Sequence, residues 1–407
     1  MMKKRVAVLS LILAPFLFAA AKPQQHDVTV RNITVPVRVF DNNIFVDTLT
    51  LDDFEILENG IPQKPEALYL VRQGNIQRKE ENVGFFPSVG RQFFLLFQLI
   101  DYNPKLADAM KYFFTEILQE DDLLTIQTPM KNYNLPPGVL KSRPREVIAK
   151  DLVDIIRKDT SIGSSYYKNQ MRELKRIIRS IQSSGTGLGR TLAGEEMDST
   201  NVGFSLDFLL PRYKETMEKM ENLRMVEEKR FLQFAEALKQ SEGEKTVFLF
   251  YQREYRPEIN QNYLSTLMSM VQDQPNNLSD LQDIFSYHRD ISIDGKKLQQ
   301  AFSDASIHFN FIFMNSEPDN ITGITMIEQS EDIFRAFSDV AKATGGMTDT
   351  SQNPFTGIKN ASALTDQHYL LYYSPANYSN DGEFKTIQIK IKDKSYKVFH
   401  RQGYIAK

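Results

Sequence analysis

Apolar residues recur along this chain in two different rhythms, and the change of rhythm divides it. Near the start, residues 28–30 and 35–40 run apolar or alternate, Asp41, Asn42 and Asn43 form a turn, and residues 54–60 read as a short strand entering a tight turn at Asn59-Gly60. The far end behaves the same way. Tyr369, Leu370, Leu371, Tyr372 and Tyr373 form a run, Asn380-Asp381-Gly382 a turn, residues 384–391 alternate strictly, and residues 396–399 add another strand. A half-buried antiparallel hairpin is expected there.

Between the ends, strand and helix patterns alternate, the signature of an α/β layer fold. Residues 93–100 are almost continuously apolar, as a strand buried on both faces of a parallel sheet should be. Residues 105–118 are helical, with Leu106, Met110, Phe113, Phe114 and Ile117 at three- and four-residue steps. Strands follow at residues 123–127, 246–251 and 307–313, and a helix at 330–344 is ended by Gly345-Gly346. Residues 142–240 lengthen this middle with a helical pattern, in which Tyr213, Met217, Met220, Leu223, Phe231, Phe234 and Leu238 mark one apolar stripe. Residues 183–189, rich in Ser and Gly, read as a mobile linker.

Composition narrows the chemistry. A net charge of -3 over 407 residues excludes a strongly basic nucleic-acid binder, and the absence of Cys excludes disulfides, thiolate metal sites and cysteine nucleophiles. Lys3, Lys4 and Arg5, then apolar residues 6–18, then Ala19-Ala20-Ala21, form a secretory signal expected to be cleaved before Lys22. A retained anchor is the rival reading, but the apolar run falls short of the roughly 20 residues that span a bilayer. No membrane span is expected after cleavage. An exported chain without Cys suits the periplasm or cell surface of a bacterium.

Several segments also carry a family resemblance. Residues 49–63, with Asp52-Asp53-Phe54, Glu58-Asn59-Gly60 and Pro62-Gln63, together with Tyr372-Tyr373-Ser374-Pro375 and Arg401-Gln402-Gly403-Tyr404 near the end, resemble the bacterial von Willebrand factor type A related exported proteins of acidobacterial type. Ala341-Lys342-Ala343-Thr344-Gly345-Gly346 is similar to that family's last helix and turn. The resemblance implies an α/β, doubly wound, Rossmann-like type A domain at residues 90–366, with a helical insertion at 142–240. It also implies a small β-sandwich-like domain built from residues 22–80 and 367–407, after a signal at 1–21. The family's chemistry, where present, is a metal-ion-dependent adhesion site needing D-x-S-x-S after the first strand, a Thr and a second Asp, since Mg²⁺ demands six oxygens. Here the loop holds Asp101, Asn103 and Lys105, so an amide and a cation stand where two hydroxyls should be. The strand ending Gln252-Arg253-Glu254 offers no second Asp, and Thr186 and Thr191 are the candidates for the Thr. The site is therefore expected to be degenerate and metal-free, with Asp101 capping the next helix as the plain alternative.

Other motifs weaken on inspection. Asp290, Ser292, Asp294 and Gly295 fit the opening of a calcium loop, but Ala301 stands where a bidentate Glu is required, leaving an Asp-Gly turn. His288-Arg289-Asp290 lacks the rest of a kinase signature, and Gly185, Gly187 and Gly189 lack a preceding strand and a P-loop Lys. His26, His288, His308, His368 and His400 are scattered, so no zincin spacing exists, and no G-x-S-x-G elbow is found. The acidic pairs Asp121-Asp122 and Glu195-Glu196 lie beside expected loops. With no catalytic group and no cofactor indicated, the expected function is noncatalytic protein–protein interaction or adhesion in the envelope. Its protein partner, unidentified, would bind at Asp101, Tyr102, Lys105, Arg253 and Tyr255; the alternatives are an envelope hydrolase and a metal-dependent adhesin.

Overall fold

The apolar run at residues 93–100 lies at the centre of a parallel sheet, where alternate side chains enter opposite cores. The computed structural model describes residues 32–407 apart from 82–83, 85, 137, 186–204, 224–225, 288–292 and 393. The signal at residues 1–21, strand residues 28–30, Thr186, Thr191, Gly187, Gly189, Glu195-Glu196, His26 and the His288-Arg289-Asp290 triplet with Ser292 lie outside the described residues.

The first part of the chain supplies β1 (Ile33–Asp41), β2 (Ile44–Phe45), β3 (Phe54–Glu58), β4 (Ile61–Gln63), β5 (Ala67–Arg72) and β6 (Asn75–Glu81). The middle runs β7 (Arg91–Gln98), α1 (Leu106–Tyr112), β8 (Leu123–Gln127), β9 (Asn132–Asn134), α2 (Val139–Ser142), α3 (Arg145–Gly163), α4 (Ser165–Gly185), α5 (Leu206–Asn222), α6 (Glu228–Lys239) and β10 (Glu244–Gln252). It continues through β11 (Tyr255–Ile259), α7 (Gln261–Met270), α8 (Pro275–Ser286), α9 (Gly295–Asp304), β12 (Ile307–Met314), β13 (Ile324–Glu328), α10 (Glu331–Ala343), β14 (Thr348–Asp349) and α11 (Pro354–Thr365). The end contributes β15 (Gln367–Tyr373), β16 (Phe384–Ile391), β17 (Lys397–His400) and β18 (Gly403–Ile405).

The central sheet has the order β14-β12-β10-β7-β8-β9, parallel except for the edge strand β9. Phe93, Leu95 and Phe97 of β7 join Phe248 and Phe250 of β10 under α1, α3 and α11, while Phe94, Leu96, Val247, Leu249 and Tyr251 face α6, α9 and α10. Helices thus cover both faces, which is why the strands could be apolar without interruption. The α10 helix stops at Gly345, whose φ of +75° few other residues would accept. The next residue, Gly346, lets the chain run against β12: a Cβ there would sit 1.8 Å from the Phe309 carbonyl oxygen.

The chain ends meet in two further sheets, β17-β1-β15-β5-β6 with β2 beside β1, and β18-β16-β3-β4. Their inner faces share one core, with Val35, Val37, Tyr369 and Leu371 from the first and Phe54, Ile56, Ile387 and Ile389 from the second. The hairpin expected between residues 369–373 and 384–391 does not form. β15 lies between β1 and β5, and β16 lies between β3 and β18, so neighbours in sequence belong to opposite sheets. The alternation of β16 reported one buried face, which any partner strand satisfies.

The single stripe expected on the long helical segment is two. Tyr213, Met217 and Met220 on α5 pack with α4, α7 and α8, whereas Phe231 and Leu238 on α6 pack on the parallel sheet. Ser183, Ser184 and Gly185 close α4 as helix rather than opening a linker, with both Ser hydroxyls donating to the Ser180 carbonyl. No described helix is long and apolar enough to cross a membrane.

Candidate functional site at the carboxyl end of the parallel sheet

The chain lays β7, β8 and β9 outward in one direction, then returns to place β10, β12 and β14 on the other side. The reversal falls between β7 and β10, the place where doubly wound sheets commonly bind ligands. The two loops leaving these strands adjoin. Gln252, the last residue of β10, turns its buried amide oxygen onto the N–H groups of Ile100 and Asp101, at 3.0 and 2.8 Å. That amide ties the loop after β7 to the end of β10.

Asp101 therefore emerges at the reversal with its side chain 61% exposed, and its carboxylate meets the Lys168 ammonium at 2.7 Å. Lys168 stands in the first turn of α4, which is anchored by the Tyr167 hydroxyl donating to the Tyr255 carbonyl at 2.9 Å. Asp101 does not cap α1. That turn is held instead by Asn103, whose side-chain oxygen accepts from the Lys105 N–H at 2.9 Å. Tyr102 is half-buried beneath the Arg157 guanidinium, 4.7 Å from the ring centre.

The two basic residues expected to converge do not share a groove. Lys105 lines a shallow groove with Asp108, Tyr112, Asn353 and Phe355, between α1 and the start of α11. Arg253 lines another, pairing with Glu328 at 3.2 Å and lying 5.1 Å over the Phe313 ring. Neither supplies the cation beside Asp101; Lys168 does, because α4 crosses above the strand ends. Tyr255 begins β11 opposite Glu328, and its backbone carbonyl accepts from the Tyr167 hydroxyl.

Over the strand reversal sits a helical cap that the sequence pattern missed in part. α4, α5, α7 and α8 close around Leu174, Ile178, Tyr213 and Leu267, and Ile100 from the end of β7 plugs into the same core. The antiparallel pair β11–β13 forms its floor. Signals for α7 and α8 existed: Asn260 caps the first by accepting from the Asn262 N–H at 3.0 Å, and Pro275 opens the second. Nothing marked Lys168, since a Lys on a charged helix looks like any solvated residue.

The remaining motif residues have structural employment. Asp294 caps α9 through the Lys297 N–H at 3.0 Å, with Gly295 as the first helical residue, so the aborted calcium loop is a helix start. Asp122 receives the Arg91 Nε at 2.9 Å. Among the described residues no three His, Asp or Glu side chains are grouped to hold a metal. What this end of the sheet offers chemically is an exposed acid–base ion pair next to Tyr102 under the Arg157 guanidinium, suited to recognition of polar surface. Compared with known proteins, the chain finds no match: no family model, no curated protein and no solved structure.

Proposed function

We propose that this chain is a noncatalytic, exported von Willebrand factor A-type protein that binds a protein partner at the bacterial envelope, through a degenerate adhesion site that needs no metal. The observation that carries the reading is the Lys168 ammonium on Asp101, at the reversal of strand order where the resemblance places the ion. A positive charge already satisfies the one carboxylate of the loop, and a divalent cation would have to displace it.

Numbered by appearance, the strands of the parallel sheet run 3-2-1-4-5-6, the order of doubly wound nucleotide-binding sheets, which agrees with a Rossmann-like type A domain. Tyr102 with Arg157 on one side, and Arg253 with Phe313 on the other, are the aromatic and Arg pairs that protein interfaces favour. The test is to replace Tyr102, Lys105 and Arg253 by Ala, singly and together, and measure capture of envelope proteins with and without EDTA. The triple variant should lose capture while keeping its melting temperature within a few degrees, and EDTA should change nothing. Unaltered capture by the triple variant would refute the placement; abolition by EDTA would refute the metal-free mechanism.

A further inference from the structure

The α4 helix departs from the charge balance of the chain. In a protein of net charge -3 it carries five cations, Lys168, Arg172, Lys175, Arg176 and Arg179, against the single carboxylate of Glu173. Its apolar side, with Leu174, Ile178 and Ile181, is buried in the cap, so the opposite side faces solvent. Arg172, Arg176 and Arg179 stand there at four- and three-residue steps, all exposed, in a row about 10 Å long.

α5 runs antiparallel beside this row and adds to it. Its Arg212 pairs with Glu173 near the middle of α4, and its Lys219 lies near Tyr166 in the first turn of α4. Glu173 is shared, since it also takes Arg176 at 3.2 Å, and Lys219 pairs with Glu215 at 2.6 Å. Two Arg side chains are left without a counter-charge. Arg172 donates to the neutral Asn169 amide oxygen, and Arg179 makes no ion pair among the described residues. The face therefore sets five cations, Arg172, Arg176, Arg179, Arg212 and Lys219, against two carboxylates, an excess of three positive charges.

Two aromatic rings border these charges in the open. Tyr166 is 53% exposed at one end of the row, and Phe208, 48% exposed towards the other, lies 5.9 Å from the Arg212 guanidinium. A soluble polyanion would engage the charges only, whereas the interface of a bilayer takes up aromatic rings and cations together. The surface is the outside of two packed helices, which suits a flat partner.

We propose that the α4–α5 face rests on a lipid bilayer rich in anionic headgroups, with Arg172, Arg176, Arg179 and Arg212 among the phosphates and the rings of Tyr166 and Phe208 at headgroup level. Each cation held near such a surface strengthens attachment by roughly fivefold. Attachment of this kind is peripheral and reversible. It does not rest on the protein-partner reading, whose Tyr102, Lys105 and Arg253 lie outside α4 and α5.

The experiment is co-sedimentation of the full chain with vesicles of phosphatidylcholine alone or mixed equally with phosphatidylglycerol, and with polyglutamate as a soluble polyanion. The apolar residues 6–18 are common to every sample, so the readout is the difference between lipids and between variants. The wild-type chain should bind the anionic vesicles at least about tenfold better than the neutral ones, and salt at about 0.5 M should abolish the difference. Replacing Arg172, Arg176 and Arg179 together by Gln should remove about tenfold or more of the anionic binding while leaving the melting temperature unchanged. Tyr166→Ser keeps every charge and should still weaken vesicle binding about threefold, with polyglutamate binding unaffected. Equal binding to both vesicles, or a triple variant that binds as the wild type does, overturns the proposal. Capture of polyglutamate without anionic vesicles, or a Tyr166→Ser variant that binds vesicles normally, overturns the lipid assignment in favour of a soluble acidic partner.

Discussion

The two ends of the parallel sheet solve opposite electrostatic problems. At the carboxyl end, Asp101 and Lys168 pair in the open, 61% and 35% exposed, where water screens them and the pair contributes little to stability. At the amino end, Arg38 and Glu244 pair at 2% and 10% exposure between two layers of the protein, beside two neutral imidazoles. The first arrangement leaves its charges available to an outside surface. The second commits its charges to holding the terminal sheets on the α/β layer, and rigid docking of those layers depends on every partner being present. The two pairs thus differ chiefly in exposure.

The largest effect should come from breaking the buried pair. Arg38→Met strands Glu244 without its cation, and chemical denaturation should show a loss of about 3–5 kcal/mol. Next comes the tie between the two carboxyl-end loops: Gln252→Leu leaves the Ile100 and Asp101 N–H groups without their acceptor, at about 1–3 kcal/mol. Stability should also depend on pH through the amino end. Burial lowers the pKa values of His308, His368 and His400, so the unfolded chain binds more protons as pH falls below about 6.5. Stability is therefore present above that pH and lost below it, and His308→Leu should shrink the loss. Lys245 acts on the alkaline side with the same sign, since its folded pKa of about 8 lies below the unfolded value of 10.5. Stability should rise from pH 8 until tyrosines ionise near about 10, and Lys245→Met should flatten that rise. The smallest effect belongs to the exposed pair, where Lys168→Met should change stability by no more than about 1 kcal/mol. A large loss there would erase the contrast between the ends.

Much of the frame was legible because it rests on burial period. The runs at residues 93–100, 246–251 and 307–313 named three neighbouring strands of one sheet, and Gly345-Gly346 named a helix end, since each has a local physical cause. Pairing was less legible. Residues 369–373 and 384–391 looked like a hairpin, yet they lie in different sheets, because alternation reports which face is buried and not which strand is adjacent. The apolar stripe from Tyr213 to Leu238 broke into two for the same reason: periodicity does not say that two helices face different cores. At the carboxyl end, the adjacency of Asp101 and Gln252 followed from strand order, but the cation on Asp101 came from a helix whose crossing no local pattern encodes. The amino-end cluster was illegible altogether, as Arg38, Glu244, His308 and His368 are brought together only by the docking of layers.

The most direct test of metal-free recognition at the carboxyl end is site-specific photo-crosslinking in the envelope, with the crosslinker placed either at Lys105 or at Ser306, on the amino-end rim. The account predicts a specific adduct from position 105, none from position 306, and the same yield with EDTA as with added Mg²⁺. An adduct from position 306 alone, or one from position 105 that EDTA removes, would contradict it.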